Sequence, residues 1–84
     1  MEGKRIGEVT HYYDRINVAV IKLTQPLNLG DQVHFLGQGS DFLQEISSME
    51  LDHKKIKSAK KNQEIALKVS KPVKKRTVVY LITQ

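Results

Sequence analysis

The sequence predicts an all-β fold, a small closed antiparallel β-barrel of about six strands, and three observations predict it. Short runs of alternating apolar and polar residues, rich in β-branched and aromatic side chains, recur along the chain. Gly, Asn, Asp and Pro separate these runs, as tight reversals require. The chain has 84 residues and no cysteine, so closure of the sheet would remove exposed edges without disulfides.

The stretch 27–42 shows this pattern most clearly. Val33 and Phe35 alternate onto one face of a short strand. Gly37 and Gly39 follow it and supply the positive φ angles that a tight reversal needs. The segment therefore predicts a strand that turns directly into the next one.

The remaining strands follow in order, and all of them belong to one predicted domain, residues 1–84. The predicted strands are 6–13, 18–23, 32–36, 41–51, a short one ending at 56, 64–69 and 77–82. The side chains predicted to face inward include Ala19, Ile21, Leu23, Ile65, Leu67, Val69, Val79 and Leu81. Gly7 in the first strand allows curvature or a close approach of two backbones.

The apolar phase changes within the long run 41–51. Phe42 and Ile46 have one parity, whereas Met49 and Leu51 have the other. We expect a β-bulge near Ser47 and Ser48, because an extra residue restores the phase and bends a strand around a barrel corner.

Charge is distributed unevenly along the chain, whose formal net charge is +5. Residues 1–53 contain four basic and eight acidic residues, and residues 54–84 contain ten basic residues and one acidic residue. This asymmetry favours an anionic partner, with nucleic acid first. The alternative is that the lysines keep the exposed face of a small domain soluble.

The candidate nucleic-acid-binding residues are basic and lie in the second half of the chain, with one aromatic residue from the first hairpin. They are Lys54, Lys55, Lys57, Lys60, Lys61, Lys71, Lys74, Lys75, Arg76 and Tyr12. If the fold gathers them at one rim, they would bind phosphates with a steep salt dependence. The ring of Tyr12 would stack on an unpaired base, unless it packs at the barrel end instead.

No catalytic or metal-binding constellation is predicted. The three histidines are scattered singly and no cysteine accompanies them, whereas a zinc site needs three or four convergent ligands. Asp52 and His53 stand near Ser47 and Ser48, but sequence neighbours on a strand point apart, so Asp52 would not orient His53. We therefore expect no enzymatic activity, no cofactor and no bound nucleotide.

Neither a leader nor a membrane span is evident. The first five residues lack the apolar core of a signal peptide, and no run approaches the ~20 apolar residues of a membrane span. The expected location is the cytoplasm, without a membrane partner. The sequence does not fix the oligomeric state.

Five stretches, taken in order, resemble domain II of translation elongation factors such as elongation factor Tu. They are 7–13 (GEVTHYY), 18–23 (VAVIKL), 27–31 (LNLGD), 41–49 (from Asp-Phe to Ser-Met) and 59–69 (from AKKN to IALKV). The resemblance covers nearly the whole chain and implies a closed barrel that contacts tRNA or ribosomal RNA. It departs from the family where Asn62 and Arg76 stand at turn positions that usually hold Gly-Asp or Gly-Asn.

The resemblance implies a binding module rather than a complete factor. The chain has no Gly-x-x-x-x-Gly-Lys-Ser/Thr loop and no room for a GTPase domain. The predicted function is a non-enzymatic, translation-factor-like module that contacts tRNA or ribosomal RNA through a basic rim. The alternative is a protein-interaction module, since the barrel is also similar to the accessory C-terminal domain of collagenase-like peptidases.

Overall fold

Strands and turns make up the chain in its computed structural model, which describes residues 2–83. The strands are β1 (Glu2–Tyr13), β2 (Val18–Leu23), β3 (Leu27–Asn28), β4 (Gln32–Gly37), β5 (Ser40–Glu45), β6 (Met49–Leu51), β7 (Lys54–Ile56), β8 (Ser58–Ala59), β9 (Glu64–Lys68) and β10 (Val78–Thr83). Residues 2–83 contain no helix, and so none that is long and apolar enough to cross a membrane. The all-β prediction is confirmed.

Eight of the ten strands form one antiparallel sheet, in the order β5-β4-β10-β1-β2-β9-β6-β7, while β3 pairs with β8. Strands β5 and β7 end this sheet, and within the described residues no ladder joins them. The sheet is therefore not closed, and the predicted closed barrel of about six strands is not supported.

The ladder stops because the segment beside β5 does not continue as a strand. This segment follows β9 and contains Pro72, which has no N–H to donate. A side chain bridges the gap instead: the Gln44 carboxamide donates to the Lys68 carbonyl (2.6 Å) and accepts from the Ser70 N–H (2.8 Å). The Ser40 hydroxyl also donates to the Pro72 carbonyl, at 3.4 Å. Side-chain hydrogen bonds thus replace main-chain pairing along the seam between β5 and residues 68–72.

The inner faces of the strands form one apolar core, largely as the alternation predicts. The predicted inward residues that are buried are Ala19, Ile21, Leu23, Val33, Phe35, Ile65, Leu67, Val69 and Val79. Leu81 is half-buried and packs against this core. Phe35 and Phe42 stack with their ring centroids 5.0 Å apart, across the β4–β5 pair.

The β-bulge predicted at Ser47 and Ser48 is wrong. Residues 46–48 leave the strand conformation, so the change of face falls in a break between β5 and β6. Register shifts occur instead within β1, between Arg5 and Gly7 and between Val9 and His11.

Gly7 lies where β1 closely approaches β2, as the sequence predicts. A Cβ atom at this position would lie 2.7 Å from the Lys22 carbonyl oxygen and 2.8 Å from Ile21 Cγ2.

We expect Gly7→Ala to lower the free energy of unfolding by about 1–3 kcal/mol, since the backbone of β2 must shift. Urea unfolding measures this change. Gly39→Asn is the control, because open space surrounds Gly39 and Asn tolerates its φ of +87°. An equal loss in both variants would contradict the close-approach explanation.

The two hydrogen bonds of the Gln44 carboxamide lead to a second prediction about stability. Gln44→Met keeps the length of the side chain but removes both hydrogen bonds, so we expect a loss of about 1–2 kcal/mol. For a domain of this size that corresponds to a fall in Tm of roughly 4–16 °C. Gln32→Met, on an exposed position of β4, is the matched control. Equal Tm values for the Gln44 variant and the wild type would show that the seam does not depend on this carboxamide.

Candidate functional site

The lysines predicted to form one rim lie along separate parts of the sheet. Lys54 and Lys55 belong to β7, at one end of the sheet order. The turn with Lys60 and Lys61 adjoins β2, because the N–H of Asn62 donates to the Leu23 carbonyl (2.9 Å). The N–H of Arg76 donates to the Val9 carbonyl on the far edge of β1 (2.8 Å).

Strands β1 and β2 therefore separate these two basic segments, by about three strand spacings of roughly 4.8 Å each. The other candidate residues lie beside further elements of the fold. Lys57 adjoins β3, since its carbonyl accepts from the Leu29 N–H, and Lys71 lies over the Phe42 ring (Nζ 5.8 Å from the centroid). Lys74 and Lys75 are exposed in the segment before Arg76. The candidate cations thus lie beside several different elements of the fold, and their binding role stays a prediction.

Tyr13, rather than Tyr12, is the displayed aromatic residue of the first hairpin. Strict alternation from the buried Val9 would place Tyr12 outside, but the register shift between Val9 and His11 reverses the parity. Tyr12 packs against the core, and its hydroxyl is 3.1 Å from Asn17 Oδ1. Tyr13 is 49% exposed and contacts His11 edge-on, with ring centroids 4.3 Å apart.

A groove lies on the outer face of the sheet beside Tyr13. One row of paired residues crosses five strands there: His11, Val20, Ala66, Glu50 and Lys55. The small Ala66 leaves a depression in the middle of this row, between the β1–β2 hairpin and the β6–β7 hairpin. Two adjoining hollows of about 460 and 560 Å³ occupy the depression and share Tyr13, Glu50, His53 and Ala66. We call the two hollows together the hairpin groove.

The two halves of the hairpin groove differ in polarity. Ile16, which is 59% exposed, and Val18 line the apolar half together with Tyr13. Glu64 and Asp52 line the polar half with Glu50. Lys68 also lines the apolar half, and in the strand register Lys22 is paired with Glu64 and Lys55 with Glu50.

Glu64 is held in place by the hydroxyl of Thr10, which donates to its Oε2 at 2.9 Å. The same hydroxyl is 3.3 Å from the Val20 carbonyl, so it is fixed at the bulge in β1. Across residues 2–83, no group of three or more His, Cys, Asp or Glu side chains is placed to hold a metal ion. The carboxylates of the groove thus do not converge as metal ligands.

The edge of the groove is a tight turn with unusual backbone angles. Asp52 and His53 connect β6 to β7 with φ angles of 52° and 66°. Two successive positive φ values define a type I′ turn, in which Asn-Gly or Asp-Gly is the usual pair. His53 therefore occupies a position that favours glycine, and its imidazole lines both hollows.

Most of this groove has no direct signal in the sequence. The bulge that turns Tyr13 outward has no marker in the residues around Thr10, and pairing across β9 cannot be read from one chain. Ile16 is the exception, because an isolated apolar residue in the predicted turn 14–17 has no strand face to bury it.

Taken together, the fold and the groove define a small all-β domain with a surface suited to binding. No family model matches the sequence. A curated relative, an uncharacterised protease of Methanocaldococcus jannaschii, is 31% identical over 80 residues. The match covers 94% of this chain and 20% of the relative, so the chain spans about a fifth of that protease.

Two solved structures of the C-terminal domain of a protein described as a Geobacillus thermoleovorans U32 peptidase have the same fold. One has a TM-score of 0.89 and 20% identity, and the match covers 95% of this chain and 93% of the other. The other, a selenomethionine variant, has a TM-score of 0.87 and 21% identity, with 92% and 98% covered.

These comparisons correct the resemblance to elongation-factor domain II. The sequence relative is named as a protease, and both solved structures are domains of a peptidase. The identification as a translation-factor module is wrong, and the tRNA- or rRNA-binding function that it implied is not supported. The protein-interaction alternative is the better supported one.

The turn at the edge of the groove gives a testable prediction. We expect His53→Gly to raise the free energy of unfolding by about 0.5–1 kcal/mol, because glycine adopts a positive φ without steric strain. Thermal unfolding measures the gain. His53→Ala is the matched control, since it removes the imidazole but keeps the Cβ atom. If both variants gained equally, the cause would be the side chain and not the backbone angle.

Proposed function

We propose that this chain is a non-enzymatic accessory domain of a U32-type peptidase and that it acts by docking a protein partner. One observation carries the proposal: 80 residues of the chain align with only 20% of a protease. A unit that is small relative to the whole enzyme has the proportions of an accessory module.

The solved structures support an autonomous unit. Both are described as the C-terminal domain of a U32 peptidase, and the matches cover 93% and 98% of those chains. The same fold therefore exists apart from the rest of a peptidase. This is the arrangement expected of a domain that folds independently and contributes binding rather than a part of the active site.

The chemistry of the described residues supports a non-enzymatic role. A hydrolytic site needs a nucleophile within hydrogen-bond reach of a base. The side-chain hydrogen bonds of residues 2–83 include no serine or threonine hydroxyl bonded to a histidine. The hydroxyl of Thr10, which lines the groove, instead donates to the Glu64 carboxylate. The predicted cytoplasmic location stays a prediction.

Affinity capture tests this function. The 84-residue chain, immobilised and incubated with the catalytic region of a U32-type peptidase from the same organism, is expected to retain it after nuclease treatment. Alone, the chain is expected to leave a fluorogenic peptide library uncleaved. Retention that disappears with nuclease, failure to retain the peptidase, or cleavage by the chain alone would each contradict the proposal. The Gly7→Ala variant, if it unfolds the domain, serves as the negative control for capture.

A further inference from the structure

The chain between β9 and β10 crosses the open end of the sheet beside β5, and main-chain hydrogen bonds fix it on both sides of the crossing. On one side, the N–H of Val69 donates to the Asn17 carbonyl (2.9 Å). On the other, the carbonyl of Lys74 accepts from the N–H of the buried Thr77 (3.1 Å). We call residues 70–73, which lie between these fixed points, the strap.

The strap is attached to β5 through side chains alone. Among the main-chain hydrogen bonds found within residues 2–83, none involves residues 70–73. The Gln44 carboxamide accepts from the Ser70 N–H (2.8 Å). The Ser40 hydroxyl donates to the Pro72 carbonyl at 3.4 Å, which is long for a hydrogen bond between oxygens. Movement of the strap away from β5 therefore breaks no main-chain hydrogen bond.

The outer edge of β5 has no main-chain partner either. Gln38 and Gly39, with φ angles of 53° and 87°, form a two-residue turn, so Gly37 and Ser40 on its two sides form a hydrogen-bonded pair. Alternation along the ladder then directs three N–H and C=O pairs away from β4, those of Asp41, Leu43 and Glu45. Within the described residues, none of the three makes a main-chain hydrogen bond on that side.

Two apolar contacts keep the strap closed. The side chain of Val73 is 2% exposed and belongs to the core. The Nζ atom of Lys71 lies 5.8 Å from the centroid of the Phe42 ring, a weak contact at an exposed position. Opening of the strap thus exposes one valine and one side of Phe42, whereas unfolding exposes the whole core. Much less free energy is needed for the opening than for unfolding.

We infer that the strap, held closed by the Gln44 carboxamide, opens while the eight-stranded sheet stays paired, and so acts as a cover over Phe42 and the edge of β5. Segments held by few apolar contacts and few hydrogen bonds open in this local manner. The bond from Gln44 to the Lys68 carbonyl stays intact, because Lys68 is paired with Val18 in the sheet. The inference does not depend on the proposed function, since it concerns the isolated domain.

Cysteine labelling tests the inference, because the chain has no cysteine of its own. Val73→Cys places a thiol under the strap, and Val79→Cys places one at a fully buried position of β10, between β4 and β1. An aromatic disulfide reagent reacts with each thiol only when its site opens. We expect the Val73→Cys thiol to react at least about tenfold faster, which corresponds to about 1.4 kcal/mol in opening free energy.

The urea dependence of labelling is the second readout of these two variants. The rate for Val73→Cys is expected to stay constant in low urea, because local opening exposes little surface. The rate for Val79→Cys is expected to rise with urea as unfolding does. Equal rates with equal urea dependence would overturn the inference.

Gly7→Ala separates local opening from unfolding. It disturbs the contact of β1 with β2, which opening of the strap leaves intact. We expect it to raise the labelling rate of Val79→Cys by about fivefold or more and to leave that of Val73→Cys unchanged. An equal rise in both rates would show that the strap opens only when the domain unfolds, and would overturn the inference.

Gln44→Met tests what holds the strap. It removes the hydrogen bond to Ser70, so we expect the labelling rate of Val73→Cys to rise about fivefold, as for the net value of one hydrogen bond. Gln32→Met, on an exposed position of β4, is the matched control and should leave the rate unchanged. No rise with Gln44→Met, or an equal rise with both, would overturn the part assigned to this carboxamide.

Hydrogen exchange checks the opening in the chain without any substitution. The N–H of Ser70 donates to the Gln44 carboxamide, and the N–H of Leu23 donates to the Gln63 carbonyl (2.9 Å). The exchange rate of Ser70 is expected to be independent of low urea, whereas that of Leu23 rises with urea. If the exchange of Ser70 followed the urea dependence of Leu23, the inference would fail.

Discussion

The carboxamide of Gln44 joins two parts of the chain that the main-chain ladder leaves unpaired. Pro72 and its neighbours cannot extend the sheet beside β5, so the ladder ends there. The Gln44 side chain supplies one donor and one acceptor, as a peptide group would, to Lys68 and Ser70. A chain of 84 residues without disulfides has only a small core to stabilise it. Its tertiary structure therefore depends on keeping this seam together over the buried Phe35–Phe42 stack.

The seam and the groove adjoin at Lys68, whose carbonyl accepts from Gln44 and which also lines the apolar half of the groove. The bulge in β1 links the core to the groove. The extra residue Thr10 shifts the parity of the residues that follow it, so Tyr12 reaches the core and Tyr13 reaches the surface. The same residue uses its hydroxyl to hold Glu64. One irregularity of the backbone thus exposes the apolar half of the groove and orients part of its acidic half. A regular β1 would do neither.

Most of the fold was predictable from the local periodicity of the sequence. Inward residues such as Ile21 and Leu67 were predictable, because alternation depends on neighbours two residues apart. The positive φ of Asn62 and of Gly39 was predictable from residue type. The open edge of the sheet was not predictable from the sequence, because it depends on which segment lies beside β5 in three dimensions. The groove was missed for a related reason: Ala66 and Glu50 are neighbours only through pairing across β9 and β6, and a single sequence does not reveal that pairing.

The basic second half of the chain has a structural explanation that needs no polyanionic partner. Strand β7 ends the sheet order, so its outer edge has no ladder partner within the described residues. Lys54 and Lys55, both exposed, occupy two of its three positions. Lysines on a short edge strand oppose pairing with the edge of another molecule, because two such edges would bring like charges together. Lys71 covers the ring of Phe42 at the seam, where its alkyl chain shields an aromatic residue of the core. Positive charge at the unpaired edge and at the seam thus protects the two places where the sheet is open.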